Sequence, residues 1–227
     1  VGGALHLVKH SYGLVHEPLQ GTLGRSCWVK CIRTFRAHDH RRENWVGRIP
    51  AVEDPLRSLA EEIGSCRRCP LAEGRTKAVP GEGPARAEIL LVGEGPGREE
   101  DRTGRPFVGR AGSVLDRCLE EAGIERSRVF ITNVVKCRPP ENRRPKRKEV
   151  EACRIYLDAQ IELLQPRTVI LMGNAAARAV LDVEGIGELR GRVIRGRFLV
   201  TFHPAAASET ETSGRPSSPT FGRKRYV

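Results

Sequence analysis

The chain between about residue 54 and residue 207 alternates between two kinds of hydrophobic pattern. Apolar residues at helical spacing recur in "DPLRSLAEEIGSC", where Leu56, Leu59, Ala60 and Ile63 share one face. The same spacing recurs in "AGSVLDRCLEEAG", closed by Gly123, and in "PKRKEVEACRIYLDAQIELL". In the last of these, Val150, Cys153, Leu157, Ile161 and Leu164 form the stripe. Between the helical stretches lie short, continuous apolar runs: "AEILLVG", "RVFITNVV" and "RTVILMG". Runs this short, with no polar alternation, predict strands buried on both faces. "NAAARAVL" predicts a short helix, and "GRVIRGRFLVTFHP" a hairpin-like pair ending at His203. Helices alternating with apolar strands predict a mostly parallel sheet covered on both sides. Ligands of such sheets bind at the carboxyl ends of the strands. Three of those ends carry polar punctuation: Gly93–Gly97, Thr132–Asn133 and His203–Pro204.

The flanks read differently. Residues 1–50 hold five of the six histidines and both tryptophans and show no sustained period, so they form an unassigned N-terminal extension. Residues 208–227 are rich in Ser, Thr, Pro and Gly and end in a basic cluster, a composition expected of a disordered tail. The domain proper is placed at 51–207. With 39% hydrophobic and 30% charged residues and no apolar run of about 18 residues, a soluble globular protein is expected. No long apolar secretory core precedes the domain. The net charge of +11 favours a polyanionic partner, nucleic acid first among them.

Seven cysteines are an odd count for a disulfide framework, and a domain of this size needs no staples. A reducing, cytoplasmic setting with some thiols on a metal fits better. Cys66 and Cys69 form C-x-x-C, Cys137 follows the strand "FITNVV", and Cys153 sits on the long helix. Four thiolates gathered from a turn, a loop and a helix can hold a [4Fe–4S] cluster or a zinc ion; a redox C-x-x-C with two core thiols is the alternative. Cys118 lies on an apolar helix face and reads as core, and Cys27 and Cys31 as incidental thiols.

Taken together, "CRRCPLAEGRTKAVPGEG", "LLVGEGPGREEDRTGRPFVGRAG", "ITNVVKCRPPENRRP", "EACRIYLDAQIELLQP" and "TFHPAA" resemble the iron–sulfur uracil-DNA glycosylases, family four of that superfamily. The resemblance runs without a break over about residues 55–207. It implies a three-layer α/β/α domain with a central, mostly parallel four-stranded sheet. It also implies a [4Fe–4S] cluster on Cys66, Cys69, Cys137 and Cys153. The implied activity is DNA repair: a uracil base is flipped from the DNA and its N-glycosidic bond hydrolysed, leaving an abasic site. A monomer acting on uracil-containing DNA, with no membrane partner, is expected.

That reading settles what the glycine cluster after "EILLVG" is for. A dinucleotide fingerprint wants a third glycine where Arg98 stands, and an acidic residue ending a second strand, whereas Asp116 falls inside a helix. Gly93, Gly95 and Gly97 are better read as a backbone cup for a flipped base, with Phe107 as stacking ring. Asn133 would read the base edge, since an amide offers both a donor and an acceptor. His203, in the His-Pro motif, would donate to the developing uracil oxyanion. Glu94 would position water or stabilise cationic character on the sugar. No lysine stands out as an amine nucleophile, so simple hydrolysis is expected. In "CRPPENRRPKRK" six basic residues face one Glu141, and Arg138, Arg143, Arg144 and Lys146 are read as phosphate contacts.

Three departures stand out. Gly95 replaces the alanine usual in the family's first loop and is expected to loosen the base pocket or to admit a different water position. The segment after "HPAAA" becomes "SETETSGRP" in place of an Arg-bearing loop and closing helix, and residues 1–50 have no counterpart. The competing readings are a non-catalytic iron–sulfur DNA-binding protein on the same scaffold and, behind it, a redox protein.

Overall fold

The structure, a computed structural model, describes residues 54–206 apart from Glu184. The readings placed on residues 1–50 and 208–227, and on Cys27 and Cys31, lie outside the described residues.

Helix α1 (Pro55–Ser65) starts where its composition says it should: the Asp54 carboxylate accepts from Leu56 N at 3.1 Å, and Pro55 opens the first turn. Strand β1 (Ile89–Gly93) follows, then α2 (Arg98–Thr103), α3 (Arg110–Glu121), β2 (Val129–Asn133) and α4 (Arg147–Leu164). The chain closes with β3 (Thr168–Met172), α5 (Asn174–Leu181), the single-turn α6 (Ile186–Leu189), β4 (Val193–Ile194) and β5 (Phe198–Thr201). The sheet order is β2-β1-β3-β5-β4. The first four run parallel, as expected; a fifth, two-residue strand, β4, pairs antiparallel with β5 and is the first arm of the anticipated hairpin.

Strand side chains alternate between two cores, as the pleat requires. Leu90, Val92, Val169, Leu171, Phe198 and Val200 pack on the face covered by α1, α4 and α5. Leu91, Ile131, Ile170, Met172 and Leu199 pack on the opposite face against Leu115, Cys118 and Leu119 of α3. Cys118 is therefore a core thiol, 1% exposed. Three layers result, with every parallel strand ending on the same side.

That side is where the site forms. Past the strand ends the β1 and β2 loops stay joined: Val134 N donates to Gly93 O at 2.9 Å and Val135 N to Glu94 O at 3.2 Å. No helix among the described residues is long and apolar enough to cross a membrane.

Candidate active site and thiol cavity

A cleft of about 720 Å³ opens over the strand ends, and Glu94, Phe107, Asn133 and His203 all line it. Glu94 comes from the end of β1, Asn133 from the end of β2 and His203 from just beyond β5, while Phe107 hangs from the turn before α3.

Phe107 is 6% exposed and adopts a left-handed backbone, φ 50°, which is strained for an aromatic residue. Two features hold it there. Gly112, in the first turn of α3, has no Cβ, and one would collide with the Phe107 carbonyl. The Glu100 carboxylate accepts from Val108 N at 2.9 Å and Gly109 N at 2.8 Å on one side, and from Gly97 N at 3.0 Å on the other. Glu100 thus ties the glycine loop to the turn that carries the ring. Pattern reading missed it because "REEDRT" has no apolar period; the G-x-x-E capping box was the available signal.

A narrow slot separates Phe107 from Asn133. A Cβ on Gly93 would strike Asn133 Oδ1 and lie 2.6 Å from Phe107 Cζ, so only glycine leaves the slot open. Asn133 is 1% exposed, and its Oδ1 has no hydrogen-bond partner. A buried acceptor without a partner is costly and calls for a ligand.

His203 stands 5.8 Å from Phe107, ring centroid to ring centroid. Its Nδ1 accepts the Ala205 N–H at 3.2 Å. An accepting Nδ1 carries no proton, so the neutral ring bears its proton on Nε2. Burial lowers the imidazole pKa below its ordinary 6.5, keeping the ring neutral near pH 7. Burial acts oppositely on Glu94, raising its pKa above 4.5, with the charge of Arg144 opposing.

Gly95 lies in the cup, but its missing methyl does not face the base slot. A Cβ there would meet Val135 Cγ2 at 2.8 Å, then Pro139 and Pro145 of the basic loop. The expected loosening of the base pocket is corrected accordingly: glycine here lets the basic loop pack close.

In that loop the four basic residues divide. Arg143 is committed to Glu149, with contacts of 2.9 and 2.6 Å, and to the Arg144 carbonyl. Arg138 Nε donates to Asn142 Oδ1 at 2.8 Å. Arg144 and Lys146 are exposed beside the cleft. Arg143 is thus first a brace of the loop.

A second cavity, behind the sheet ends, is lined by Cys66, Cys69, Cys137 and Cys153. Three of the sulfurs receive N–H donors: Arg75 Nη1 to Cys137 at 3.1 Å, Lys136 N to Cys153 at 3.3 Å and Arg68 N to Cys66 at 3.4 Å. Burial pushes the Cys153 thiol up to about 11 and raises Cys137, against which Arg75 pulls. The four cysteines line this cavity; among the described residues no group of three or more His, Cys, Asp or Glu side chains is placed to hold a metal ion. Arg75 also donates to Gly64 O at 2.6 Å, fastening this cavity to the end of α1. Sequence reading passed over Arg75.

The structure is thus a three-layer α/β protein with an aromatic-walled slot, a buried amide oxygen without a partner and a neutral imidazole at its strand ends, beside a basic loop. Comparison with known proteins gives the family. The family model for the uracil DNA glycosylase superfamily matches residues 80–222. A type-4 uracil-DNA glycosylase of Pyrobaculum aerophilum is 47% identical over 163 residues, covering 66% of this chain and 83% of the relative. That of Thermotoga maritima is 45% identical over 159 residues, 67% and 83%. That of Sulfurisphaera tokodaii is 44% identical over 167 residues, 68% and 76%. The chain belongs to the uracil DNA glycosylase superfamily, among its type-4 members.

Proposed function

We propose that this protein removes uracil from DNA by hydrolysing the N-glycosidic bond of a flipped nucleotide. The observation that carries the reading is the presence of Asn133 and His203 in one cleft: an unpartnered buried acceptor and a neutral Nε2 donor. Uracil presents an N–H beside a carbonyl, so Asn133 Oδ1 suits N3–H and the amide N–H₂ suits the adjacent oxygen. Phe107 stacks on the base, and Gly93 admits it edge-on.

In the reaction the C1′–N1 bond breaks and its electron pair leaves with the base. Negative charge then collects on the uracil oxygens, where the His203 Nε2–H donates. A donor that is already neutral need not give up its proton to be useful. Positive character on the sugar faces Glu94. The carboxylate either opposes that charge or takes a proton from the water whose oxygen bonds to C1′, and both roles need it ionised. Burial works against the ionised form and the charge of Arg144 works for it. Exposed Arg144 and Lys146 hold the phosphates beside the flipped nucleotide.

Cys66, Cys69, Cys137 and Cys153, which line the second cavity, would hold a [4Fe–4S] cluster. The family resemblance favours a cluster over zinc, and four thiolates gathered from a turn, a loop and a helix suit it. The N–H donors on the sulfurs suit anionic thiolates. When bound, the cluster would supply cross-linking of α1, the loop after β2 and α4, and no electron transfer, because hydrolysis needs none.

The test is release of free uracil from single- and double-stranded oligonucleotides carrying one uracil. Release with an abasic product is expected. Tight binding of the same DNA without release would move the assignment to a non-catalytic DNA-binding protein on this scaffold.

A further inference from the structure

Among the described residues Lys136 is one of the largest fully buried side chains, 1% exposed, and nothing in the reaction described above uses it. Its Nζ lies 2.7 Å from each of three acceptors: Thr132 Oγ1, Gln160 Oε1 and the main-chain carbonyl of Asn133. Three acceptors match the three N–H groups of an ammonium, and none is a carboxylate. Burying a lysine against neutral partners is costly, and an apolar side chain of the same length would stabilise the core better. The network also continues. Gln160 Nε2 and Thr132 Oγ1 both donate to the Pro80 carbonyl, at 2.6 and 3.0 Å. The Lys136 backbone is fixed independently, through its N–H to Cys153 Sγ and its carbonyl to Val79 N at 2.7 Å.

We propose that Lys136 is a positioning residue for the base reader. Its Nζ, anchored on Thr132 and Gln160, grips the Asn133 peptide from below and fixes the direction in which the Asn133 amide enters the slot beside Phe107. The side chain of Asn133 has no protein partner at Oδ1 to orient it, so its main chain must do so. The peptide is held at two points. Val134 N, on the far side of the Asn133 carbonyl carbon, bonds to Gly93 O, and the Asn133 carbonyl oxygen bonds to Lys136. A peptide gripped at both its N–H and its C=O cannot rotate. This role rests on the uracil-DNA glycosylase reading and adds to it a residue that never touches the base.

Lys136→Met keeps length and volume and removes every donor. Single-turnover cleavage at saturating protein should fall at least about tenfold, as expected for misplaced reacting groups. Affinity for abasic product DNA should stay within about twofold, and binding of free uracil by titration calorimetry should weaken. A purely structural role would lower the melting temperature and leave the rate of the folded protein unchanged; that outcome overturns the proposal. Thr132→Val and Gln160→Met repeat the test if Lys136→Met does not fold. Each removes one anchor and keeps the grip on Asn133, and each should produce a smaller loss of rate with the same unchanged product affinity. Full rate in both would also overturn the proposal. A parent protein that releases no uracil defeats the glycosylase reading instead, and weaker free-uracil binding in the variants still decides the role of Lys136.

Discussion

The imidazole Nδ1 of His203 accepts the main-chain N–H of Ala205, two residues on, at 3.2 Å. This local bond fixes which nitrogen carries the proton and turns Nε2–H into a donor for the cleft. His203→Ala should therefore reduce uracil release on the order of a hundredfold, the usual effect of losing one donor to a developing anion. Binding to abasic DNA, which lacks the uracil oxygen, should hardly change. Rates in single turnover and affinities by anisotropy check both halves. Full activity in the variant would remove His203 from the chemistry.

The pH profile should follow Glu94. Burial raises its pKa above 4.5, so protonation begins at a higher pH than for an exposed glutamate. Activity requiring the carboxylate should be present above that pKa and fall as pH drops through it. His203 shifts the other way: its lowered pKa keeps it neutral below pH 6.5, so it contributes no loss at the top of this limb. Glu94→Gln should lower turnover more than DNA binding and flatten the acid limb of what activity remains. A limb unchanged in Glu94→Gln would assign it to another group.

Gly93→Ala tests the slot itself. The added methyl would meet Asn133 Oδ1 and the Phe107 ring at once, and both are buried. Uracil cleavage should fall by about two orders of magnitude, because a small misplacement of reacting groups costs about that much. Affinity for undamaged DNA should persist, since the phosphate contacts lie outside the slot. Gel-shift and cleavage assays on one preparation separate the two.

The basic loop should answer unequally to substitution. Arg144→Gln with Lys146→Gln should weaken binding to all DNA alike and reduce the slope of log affinity against log salt by roughly one per lost phosphate contact. Arg143→Gln should act through stability as well, because it leaves the buried Glu149 without its ion partner. Thermal melting distinguishes the cases. An unchanged slope in the double variant would mean that those charges face only solvent.

The thiols yield a cleaner contrast. Cys66→Ser should lose iron and visible absorbance together, with a large drop in melting temperature, whereas Cys118→Ser should keep both. Stoichiometric zinc and no iron in anaerobically purified protein would replace the cluster with a mononuclear site.

Much of this was legible in the sequence because it rests on period and punctuation. Continuous apolar runs marked β1, β2 and β3, and "NAAARAVL" coincides with α5 end to end. Glu94, Asn133 and His203 were placed at strand ends before any coordinates, and a parallel sheet brings strand ends together by construction. Other features were not legible because they depend on what stands opposite. Lys136 looks like one more basic residue in a basic loop; its burial follows from the acceptors that β2 and α4 happen to offer. Glu100 and Arg75 act on partners up to 62 residues away. Gly95 was misjudged for the same reason: its identity was visible, but the direction of its absent methyl was not.

The strand order also sets a timetable. Cys66, Cys69, Cys137 and Cys153 all precede β3, while His203 follows β5, whose place in the sheet is beside β3. On a chain that emerges from its amino end and folds progressively, all four cysteines can be in place while β3, β5 and His203 are still being made. A cluster on those thiols, as proposed, would then form before the proposed anion-stabilising imidazole is in place.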